Sequence, residues 1–489
     1  MDERLAFGSG KTSVAGRPDA VWAEDDGRAP VATDAVPGVR REPRDWAFFG
    51  LVMFTALVYF RPQDTITPLS ALPLADAAAI GGLIAMVTGR LRRGLPVIRV
   101  TAEVIGVVAL GLVIIFTAPF SIWFGGAINT FLEMYMKVML IFVLMVSTLT
   151  SPERVRRFTW VIVIAMSYIA FRAVFDYARG LNLVENGRVM GAVGGMFQNP
   201  NDLALNMVTV LPMAVLLAIR GTSTSSRLFA AGGAFLMIAA TVVSQSRGGF
   251  LGLAAMMLVL AVQVGRKSPG LIAAGAVALV LALPLVPATY WHRMSSITNE
   301  ELDESGSREA RRILLGEAWE AFVTNPVTGL GAGNFKAYKP RERNEPWQET
   351  HNAVLQVASE LGLFGLTIFL FLIYRAATAP LQAGKLLRRA TGGRRRSRWG
   401  PETSTEPAVI TPQEAAFLDA LGATMMAAVA GWFVSALFAS VAYNWTFYYV
   451  LAIAAAPREI LLDRLAERSS AIRRVSRSRL AEAPAVVRA

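Results

Sequence analysis

The chain contains no cysteine and only two histidines among its 489 residues. Without cysteine there is no disulfide framework, no zinc–thiolate site and no thiol nucleophile. Charged residues are also scarce, at 17% of the chain, whereas soluble domains carry about 25%. Together with a hydrophobic content of 54%, this scarcity argues against an ordinary soluble enzyme.

The hydrophobic residues are clustered in blocks of roughly 17–25, the length that crosses a bilayer as a helix. Because backbone exposed to lipid must satisfy its own polar groups, these blocks predict helices, and the alternating pattern of a membrane β-barrel is absent. We therefore predict an all-α, polytopic membrane helical bundle in contact with the lipid bilayer. About twelve spans are expected, at roughly 46–60, 71–89, 102–122, 132–150, 157–176, 200–219, 227–244, 249–265, 270–290, 352–374, 414–438 and 442–458.

The predicted membrane domain, residues 46–460, lies between two polar segments. Residues 1–45 are rich in Asp, Arg, Gly, Pro and Ala without apolar periodicity, which predicts a disordered cytoplasmic tail. Residues 461–489 are predicted to be a basic cytoplasmic tail. Within the domain, 291–351 is predicted to be a large outward-facing loop and 375–413 a basic cytoplasmic loop.

The net charge of +12 points to a membrane rather than to nucleic acid because of where the basic residues lie. If the spans alternate in direction, the lysine and arginine clusters of the connecting segments all fall on one side, which the positive-inside rule makes cytoplasmic. Both termini are then cytoplasmic. The clusters are Arg40, Arg41 and Arg44, Arg90, Arg92 and Arg93, Arg154, Arg156 and Arg157, Arg220 and Arg227, Arg266 and Lys267, and the stretch 385–398.

His351 is the first candidate for chemistry, because it lies at the outer start of a predicted span, in the stretch WQETHNAVLQ. An imidazole with a pKa near 6.5 can accept a proton at neutral pH. A histidine that only solvates a helix end would fit the same position. Glu349 and Asn352 are close in the chain, and either could orient the ring. His292 follows two aromatic residues and is better explained as part of an aromatic belt.

Arg247 is the second candidate, in the short connection SQSRGG between two predicted spans. An arginine this close to the membrane is costly unless it has a partner or reaches water. Ser246, the guanidinium group and two glycines, with no acidic neighbour, suit an anion such as phosphate. A tight turn with an arginine that snorkels to the surface is the alternative.

Three arginines of the large loop form the third candidate. Residues 308–323 have helical periodicity, with Ser307 as the expected N-cap and Asn325-Pro326 as the expected end. Spacings of three and four put the arginines on one face of this helix, and they are Arg308, Arg311 and Arg312. A solvated face is the plainer explanation, but one acid among them leaves positive charge for an anionic partner.

Two further motifs have a structural explanation. In FQNPND, Asn199 can cap a span with Pro200 in its first position, and Asp202 could orient a basic group. The stretch GLGAGNF at 329–335 lacks the lysine of a P-loop and follows no strand, so we predict a shaped turn. No Asp-x-Asp motif or histidine cluster occurs among the outward residues, which predicts a site without a metal.

FQNPND, SQSRGG and the block from the arginine-bearing helix through NPVTGLGAGNF to ETHN follow one another in the chain. In this order, and with YFRPQD at 59–64, they resemble the O-antigen ligase / Wzy-type polymerase family of bacterial envelope enzymes. The resemblance covers roughly residues 46–460. It gives no support for the tails or for the basic segment.

The resemblance implies a metal-independent, cofactor-free inverting glycosyltransferase of the bacterial inner membrane with a periplasmic active site. The donor would be a glycan on undecaprenyl pyrophosphate, held by Arg247 and the loop-helix arginines. His351 would be the general base for an acceptor hydroxyl. Lipid A core, another glycan or a protein could supply that hydroxyl, so ligase, polysaccharide polymerase and protein O-glycosylation ligase all remain open. A lipid-linked glycan flippase is the alternative from another class. Supporting roles are expected for Asn199, Asp202, Ser246, Glu349 and Asn352.

Overall fold

The described part of the chain is almost entirely helical in the computed structural model. It comprises residues 45–62, 67–69, 72–184, 187–192, 194–265, 270, 288–295, 307–339, 348–391 and 409–482. Three predicted segments lie wholly or mostly outside these ranges: the N-terminal tail, the span at 270–290, and the basic segment after residue 391.

Thirteen helices and one short hairpin make up the described residues. The hairpin consists of β1 (Leu183–Val184) and β2 (Arg188–Val189), paired antiparallel. One π-helical turn, Phe131–Tyr135, lies within α4. The helices are α1 (Trp46–Phe60), α2 (Leu74–Arg92), α3 (Ala102–Thr117), α4 (Phe124–Thr148), α5 (Pro152–Arg179), α6 (Pro200–Arg220), α7 (Thr224–Val243), α8 (Arg247–Gly265), α9 (Ala288–Ser295), α10 (Ser307–Thr324), α11 (Ala353–Ala390), α12 (Pro412–Ala436) and α13 (Trp445–Glu482).

The predicted polytopic membrane bundle is confirmed. Among the described helices, nine are long and apolar enough to cross a membrane, namely α2 to α8, α11 and α12. The helix α1 is apolar but shorter, with 15 residues. The helix α13 covers the last predicted span and continues beyond it. Every predicted span except the ninth, at 270–290, therefore coincides with a described helix.

Side-chain caps fix where several spans begin. The carboxylate of Asp45 accepts hydrogen bonds from the first N–H groups of α1, and Thr101 and Ser151 cap α3 and α5 in the same way. At the start of α12, Thr411 and Glu414 form a reciprocal capping box. Each cap satisfies backbone donors that the first turn of a helix leaves unpaired.

Glycines allow neighbouring helices to approach closely. A Cβ atom on Gly252 of α8 would collide with Ser435 of α12, and one on Gly50 of α1 would collide with the backbone of Gly82 on α2. In lipid, helices associate through such close packing because hydrophobic side chains gain little by leaving the bilayer. The contacts pack α8 on α12 and α1 on α2.

The two ends of the bundle differ in charge. The Arg154 guanidinium, at the start of α5, bonds the Asp45 carboxylate at 2.6 Å, so α1 and α5 begin at the same end. Because the helices alternate in direction, Arg90, Arg220 and Arg388 also lie there, and we call it the arginine-rich end. The opposite end, where α6, α8, α11 and α13 begin, is called the site end.

A buried ionic cluster joins three helices at the arginine-rich end. The fully buried Glu103 carboxylate of α3 lies 2.9 Å from the Arg375 guanidinium of α11 and 2.8 Å from that of Arg458 on α13. Glu459 pairs with Arg458 at 2.6 Å. Removing one partner from such a cluster would leave a buried charge uncompensated, so the three helices are held in a fixed arrangement.

The helix α11 is interrupted near the site end at Gly362, whose φ of 62° is left-handed. The interruption frees the carbonyl groups of Ser359 and Glu360 from their usual partners along the helix. The N–H groups of Leu330 and Gly331 donate to these carbonyls at 2.9 and 2.8 Å. A helix can be broken inside an apolar bundle only where other groups satisfy its backbone in this way.

The segment that fills the break is the GLGAGNF stretch, and the predicted shaped turn is confirmed. Gly329, Gly331 and Gly333 have φ values of 63°, 94° and 70°, a region that favours glycine. The N–H groups of Gly333 and Phe335 donate to the Glu360 carboxylate at 2.8 and 3.2 Å. Since this turn follows α10 closely, it fixes α10 against α11.

Two helices extend further than the sequence predicted. The helix α11 continues to Ala390, so the basic loop expected at 375–413 begins later, and α13 continues to Glu482 through most of the expected tail at 461–489. Both extensions are rich in Ala, Leu and Arg, which favour helix. The start of α10 at Ser307 agrees with the sequence, while its expected capping contact lies outside the described side chains.

We predict that Gly329→Ala destabilises the protein, whereas Gly316→Ala does not. A Cβ atom at Gly329 would collide with the backbone of Glu360 and would stand on a left-handed residue, for an expected loss of at least about 2 kcal/mol. At Gly316, inside α10, a Cβ atom has no neighbour within 4 Å, and alanine favours helix. Thermal unfolding in detergent should give a lower Tm for the first variant only. Equal Tm values would show that the turn does not need its glycines.

Candidate functional site

The first turns of α6 and α8 meet at the site end. Asn199 caps α6 as predicted, because its side-chain oxygen accepts the N–H of Asn201 at 2.8 Å. The Ser246 Oγ accepts the N–H of Gly249 at 3.1 Å and donates to the Asn201 Oδ1 at 2.8 Å. FQNPND and SQSRGG therefore form one structural unit. Two helix N-termini in one place attract anions, since their free N–H groups and helix dipoles are positive.

Two arginines flank this unit. Arg247 is half-buried and is the first residue of α8. Arg188, on β2, donates from its Nη2 to the Asn201 Oδ1 at 2.8 Å and from its Nε to the Ser244 carbonyl at 3.3 Å. The hydrogen bonds of Arg188 thus hold the turn that precedes Arg247.

His351 lies in a strained turn immediately before α11. Its φ of 48° is left-handed, which is uncommon for any residue other than glycine. The backbone N–H of His351 donates to the Ser440 Oγ at 2.9 Å, and the Thr350 Oγ1 lies 3.1 Å from the same oxygen. A strained backbone persists where the surroundings hold it, and such positions cluster at functional sites.

The segment that connects α12 and α13, residues 437–444, contacts both the turn of His351 and the first turn of α8. Its Phe438 packs so closely on Gly248 that a Cβ atom added to the glycine would collide with the Phe438 Cβ. Its Ser440 bonds His351, and its Ala442 N–H donates to the Gln356 side chain at 3.2 Å. The segment therefore packs against the residue after Arg247 and also holds the turn of His351.

Arg311 is the loop-helix arginine that the structure brings to His351. Burial lowers the pKa of His351 to about 4, and the positive charge of Arg311 adds to this effect. Arg312 is exposed, and the side chain of Arg308, in the first turn of α10, lies outside the described part. The sequence left the choice among the three arginines open, and of the two whose side chains are described, Arg311 is the one near His351.

The residues that the sequence predicted to support the site have different positions and contacts in the structure. The Asn352 Oδ1 accepts the N–H groups of Val354 and Leu355, both at 3.0 Å, so it caps α11 rather than orienting the imidazole. Asp202 and Glu349 both face a cavity beside the histidine turn, which Thr350 also lines. Ser246 joins two motifs, as described above.

This cavity, the site cavity, has a volume of about 610 Å³. It is lined by parts of α1, α2, α4, α6, α11 and α13, by the turn formed by GLGAGNF at 329–335 (the glycine turn), and by the 437–444 segment. Its charged and aromatic lining includes Arg61, Asp202, Lys336, Glu349, Glu360 and Trp445. A volume of this size is typical of a small-molecule site.

Four residues of the site were not among those predicted from the sequence. Glu360 had a signal, since an acid inside an apolar span is a functional candidate by default. Arg61 lies in YFRPQD, a stretch singled out only for its resemblance. Arg188 stands in a loop that becomes part of the site only when α6 and α8 meet. Ser440 had no distinguishing pattern, because its role depends on the backbone of His351.

The fold and the site define a polytopic helical membrane protein with arginines at two helix N-termini and a nearby histidine. Residues 232–370 match the family model described as O-antigen ligase. The match includes Arg247, α10 and His351, so the family resemblance expected from the sequence is confirmed over these residues. No curated protein matches the chain.

We predict that Arg311→Gln raises the pKa of His351 from about 4 towards the ordinary value of about 6.5, because it removes a positive charge beside the imidazole. The rise should be partial, since burial remains the larger cause. With two histidines in the chain, NMR of histidine-labelled protein gives two signals, and His292→Gln assigns them. The control is Arg312→Gln, which alters the exposed neighbour of Arg311 and should leave the titration of His351 unchanged. Equal titration in both variants would remove Arg311 from the imidazole environment.

Proposed function

We propose that the protein transfers a glycan from an undecaprenyl-pyrophosphate donor to an acceptor hydroxyl without a metal or other cofactor. The observation that carries this proposal is the meeting of Arg247, two helix N-termini and the Arg311–His351 pair at one end of the bundle. The family match of residues 232–370 supports a membrane enzyme with lipid-linked glycan substrates. The particular donor and the reaction are our inference.

The arginines and helix N-termini suit the pyrophosphate of the donor. A guanidinium group binds two phosphate oxygens at once, and a helix N-terminus offers free N–H groups to the same anion. We assign Arg247 and Arg311 to this binding. Arg188 has a positioning role, because its hydrogen bonds go to Asn201 and to the Ser244 carbonyl.

The transfer then requires one proton movement and one displacement. The acceptor oxygen forms a bond to the anomeric carbon while the bond from that carbon to the pyrophosphate oxygen breaks, and its electron pair leaves with the pyrophosphate. His351 takes the hydroxyl proton, and the arginines stabilise the charge that develops on the leaving group. Attack opposite the leaving group inverts the anomeric configuration.

The environment of His351 suits a general base. A pKa near 4 keeps the imidazole neutral at pH 7, so that it can accept a proton. A bound pyrophosphate would offset the charge of Arg311 and raise the pKa of His351, because a nearby anion favours the imidazolium ion. The donor would thus make the base stronger when it is needed.

We place the protein in the bacterial inner membrane with both termini in the cytoplasm and the site in the periplasm. The support for this orientation is the set of arginines at one end of the bundle, which the positive-inside rule makes cytoplasmic. Polymerase and protein O-glycosylation ligase activities use the same chemistry and differ in the acceptor.

A lipid-linked glycan flippase has one feature in its favour, the break in α11 at Gly362. Transporters use such breaks to present free backbone groups to a ligand. Here the freed carbonyls accept hydrogen bonds from the glycine turn. The break therefore serves the packing of the turn, and transfer is the better-supported function.

We predict that His351→Asn reduces glycan transfer by at least about a hundredfold, because it removes the base. Asparagine tolerates a left-handed backbone, so the turn should be kept. His292→Asn is the matched control and should transfer normally. Transfer of labelled glycan is measured on native membranes at matched expression, with EDTA present. Normal transfer by His351→Asn would refute the base role, and loss of wild-type transfer in EDTA would refute metal independence.

The same assay tests the donor site. Arg247→Lys keeps the charge but loses the planar fork, so the KM for the donor should rise, whereas Arg227→Lys at the arginine-rich end should behave as wild type. An unchanged donor KM in Arg247→Lys would contradict bidentate binding.

We predict that Ser440→Ala lowers kcat by about tenfold while the KM for the donor stays the same, because the hydroxyl holds His351 and does not touch the pyrophosphate. Ser440→Thr keeps a hydroxyl and should restore most of the rate. A general loss of folding would lower the amount of protein in both variants. A donor KM that changes together with kcat would contradict a role limited to positioning.

A further inference from the structure

The site cavity borders the turn of His351. It is separate from the arginine unit, by which we mean the first turns of α6 and α8 together with Arg188 and Arg247. Thr350 and Ser440 line it, and both contact the turn of His351. Arg188, Arg247 and Arg311 are not part of its lining. A ligand in the cavity would therefore reach the histidine turn from a different direction than a ligand on those arginines.

Carboxylates dominate the polar lining of the cavity. Five acidic side chains face it, against three basic ones, Arg61, Lys137 and Lys336. Lys137 is already engaged, because its Nζ lies 3.2 Å from the Glu133 carboxylate and 3.7 Å from that of Asp76. The charged groups that remain are the acids Asp202, Glu349 and Glu360 and the basic groups Arg61 and Lys336, so acids are in excess.

Glu360 and Tyr443 present fixed polar groups to the cavity. The glycine turn holds the Glu360 carboxylate through two backbone N–H groups, which leaves further lone pairs on both oxygens. Tyr443 is 2% exposed. Within the described part of the chain, its hydroxyl lies beside Glu360 without a well-aligned hydrogen bond. The remaining lone pairs of the Glu360 carboxylate are suited to a ligand that donates hydrogen bonds.

We propose that the site cavity binds the acceptor through a hydroxyl-rich saccharide end that carries no phosphate or carboxylate group. Sugar hydroxyls would donate to Asp202, Glu349 and Glu360, and the half-buried ring of Trp445 would pack against an apolar face of the sugar. An anionic group would meet like charges at the same place. This inference rests on the proposed function for the role of the ligand, but not for its binding.

The first turn of α6 separates the two binding regions. Asn201 bonds Arg188 and Ser246 in the arginine unit, whereas the next residue, Asp202, faces the cavity. The acidic groups on the cavity side of this turn would keep the anionic part of the donor out of the cavity. The acceptor hydroxyl would then approach His351 from the cavity side, opposite the pyrophosphate.

The test measures saccharide binding to the full chain in lipid nanodiscs without donor, by saturation-transfer NMR. The probes are a neutral methyl disaccharide glycoside and the same compound bearing one phosphate. We expect the neutral probe to bind at least about tenfold more tightly. Asp202→Asn should weaken the neutral probe by about tenfold and reduce its advantage over the phosphorylated one. Equal or tighter binding of the phosphorylated probe by wild type would overturn the proposal.

Two further variants keep the test decisive. Glu349→Gln alters an exposed residue outside the helices and should reduce the preference even if Asp202→Asn fails to fold. Glu320→Gln is the control, because Glu320 is exposed on α10, pairs with Lys339 at 2.8 Å and does not line the cavity. An unchanged preference in Glu349→Gln would refute the role of the cavity. Since no donor is present, a wild-type protein that transfers no glycan in the membrane assay would refute the proposed function and leave this binding result intact.

Discussion

The break in α11 and the turn that fills it organise the site end of the protein. An unpaired carbonyl inside an apolar bundle is so unfavourable that Gly362 can interrupt the helix only while Leu330 and Gly331 donate to Ser359 and Glu360. This requirement also fixes the positions of residues on α10 and α11. It brings the end of α10 onto α11, so that Arg311 lies near His351, and it turns the Glu360 carboxylate towards the cavity.

Charged groups also organise the structure, both along the whole bundle and within the site end. Across the bundle, arginines gather at one end, where Glu103 joins three helices through Arg375 and Arg458. At the site end, basic and acidic groups are separated by a single turn of α6. This separation suits a reaction between an anionic and an uncharged substrate, because the acidic region disfavours the anionic one.

The sequence was sufficient for the features that depend on local pattern. Hydrophobic blocks predicted the spans, Asn199 predicted a cap, and the GLGAGNF stretch predicted a turn. Contacts between segments that are distant in the chain could not be predicted from the sequence alone. Nothing near Ser440 indicates that it bonds the backbone of His351, since that bond depends on how α12 and α13 are connected. The predicted span ends at residue 374, whereas α11 continues to Ala390, because alanine, arginine and leucine favour helix beyond the apolar run.

The histidine that the sequence made prominent is held under three unfavourable conditions at once. Its backbone is left-handed, its imidazole is half-buried, and Arg311 opposes its protonation. The left-handed backbone costs stability, whereas burial and Arg311 disfavour only the protonated imidazole, and none of the three is required for packing a span. An anion placed between Arg247 and Arg311 would relieve the electrostatic one. The resting protein would therefore carry a weak base that strengthens only beside a bound pyrophosphate, which would limit proton abstraction to the occasions when a glycan is present to receive the oxygen.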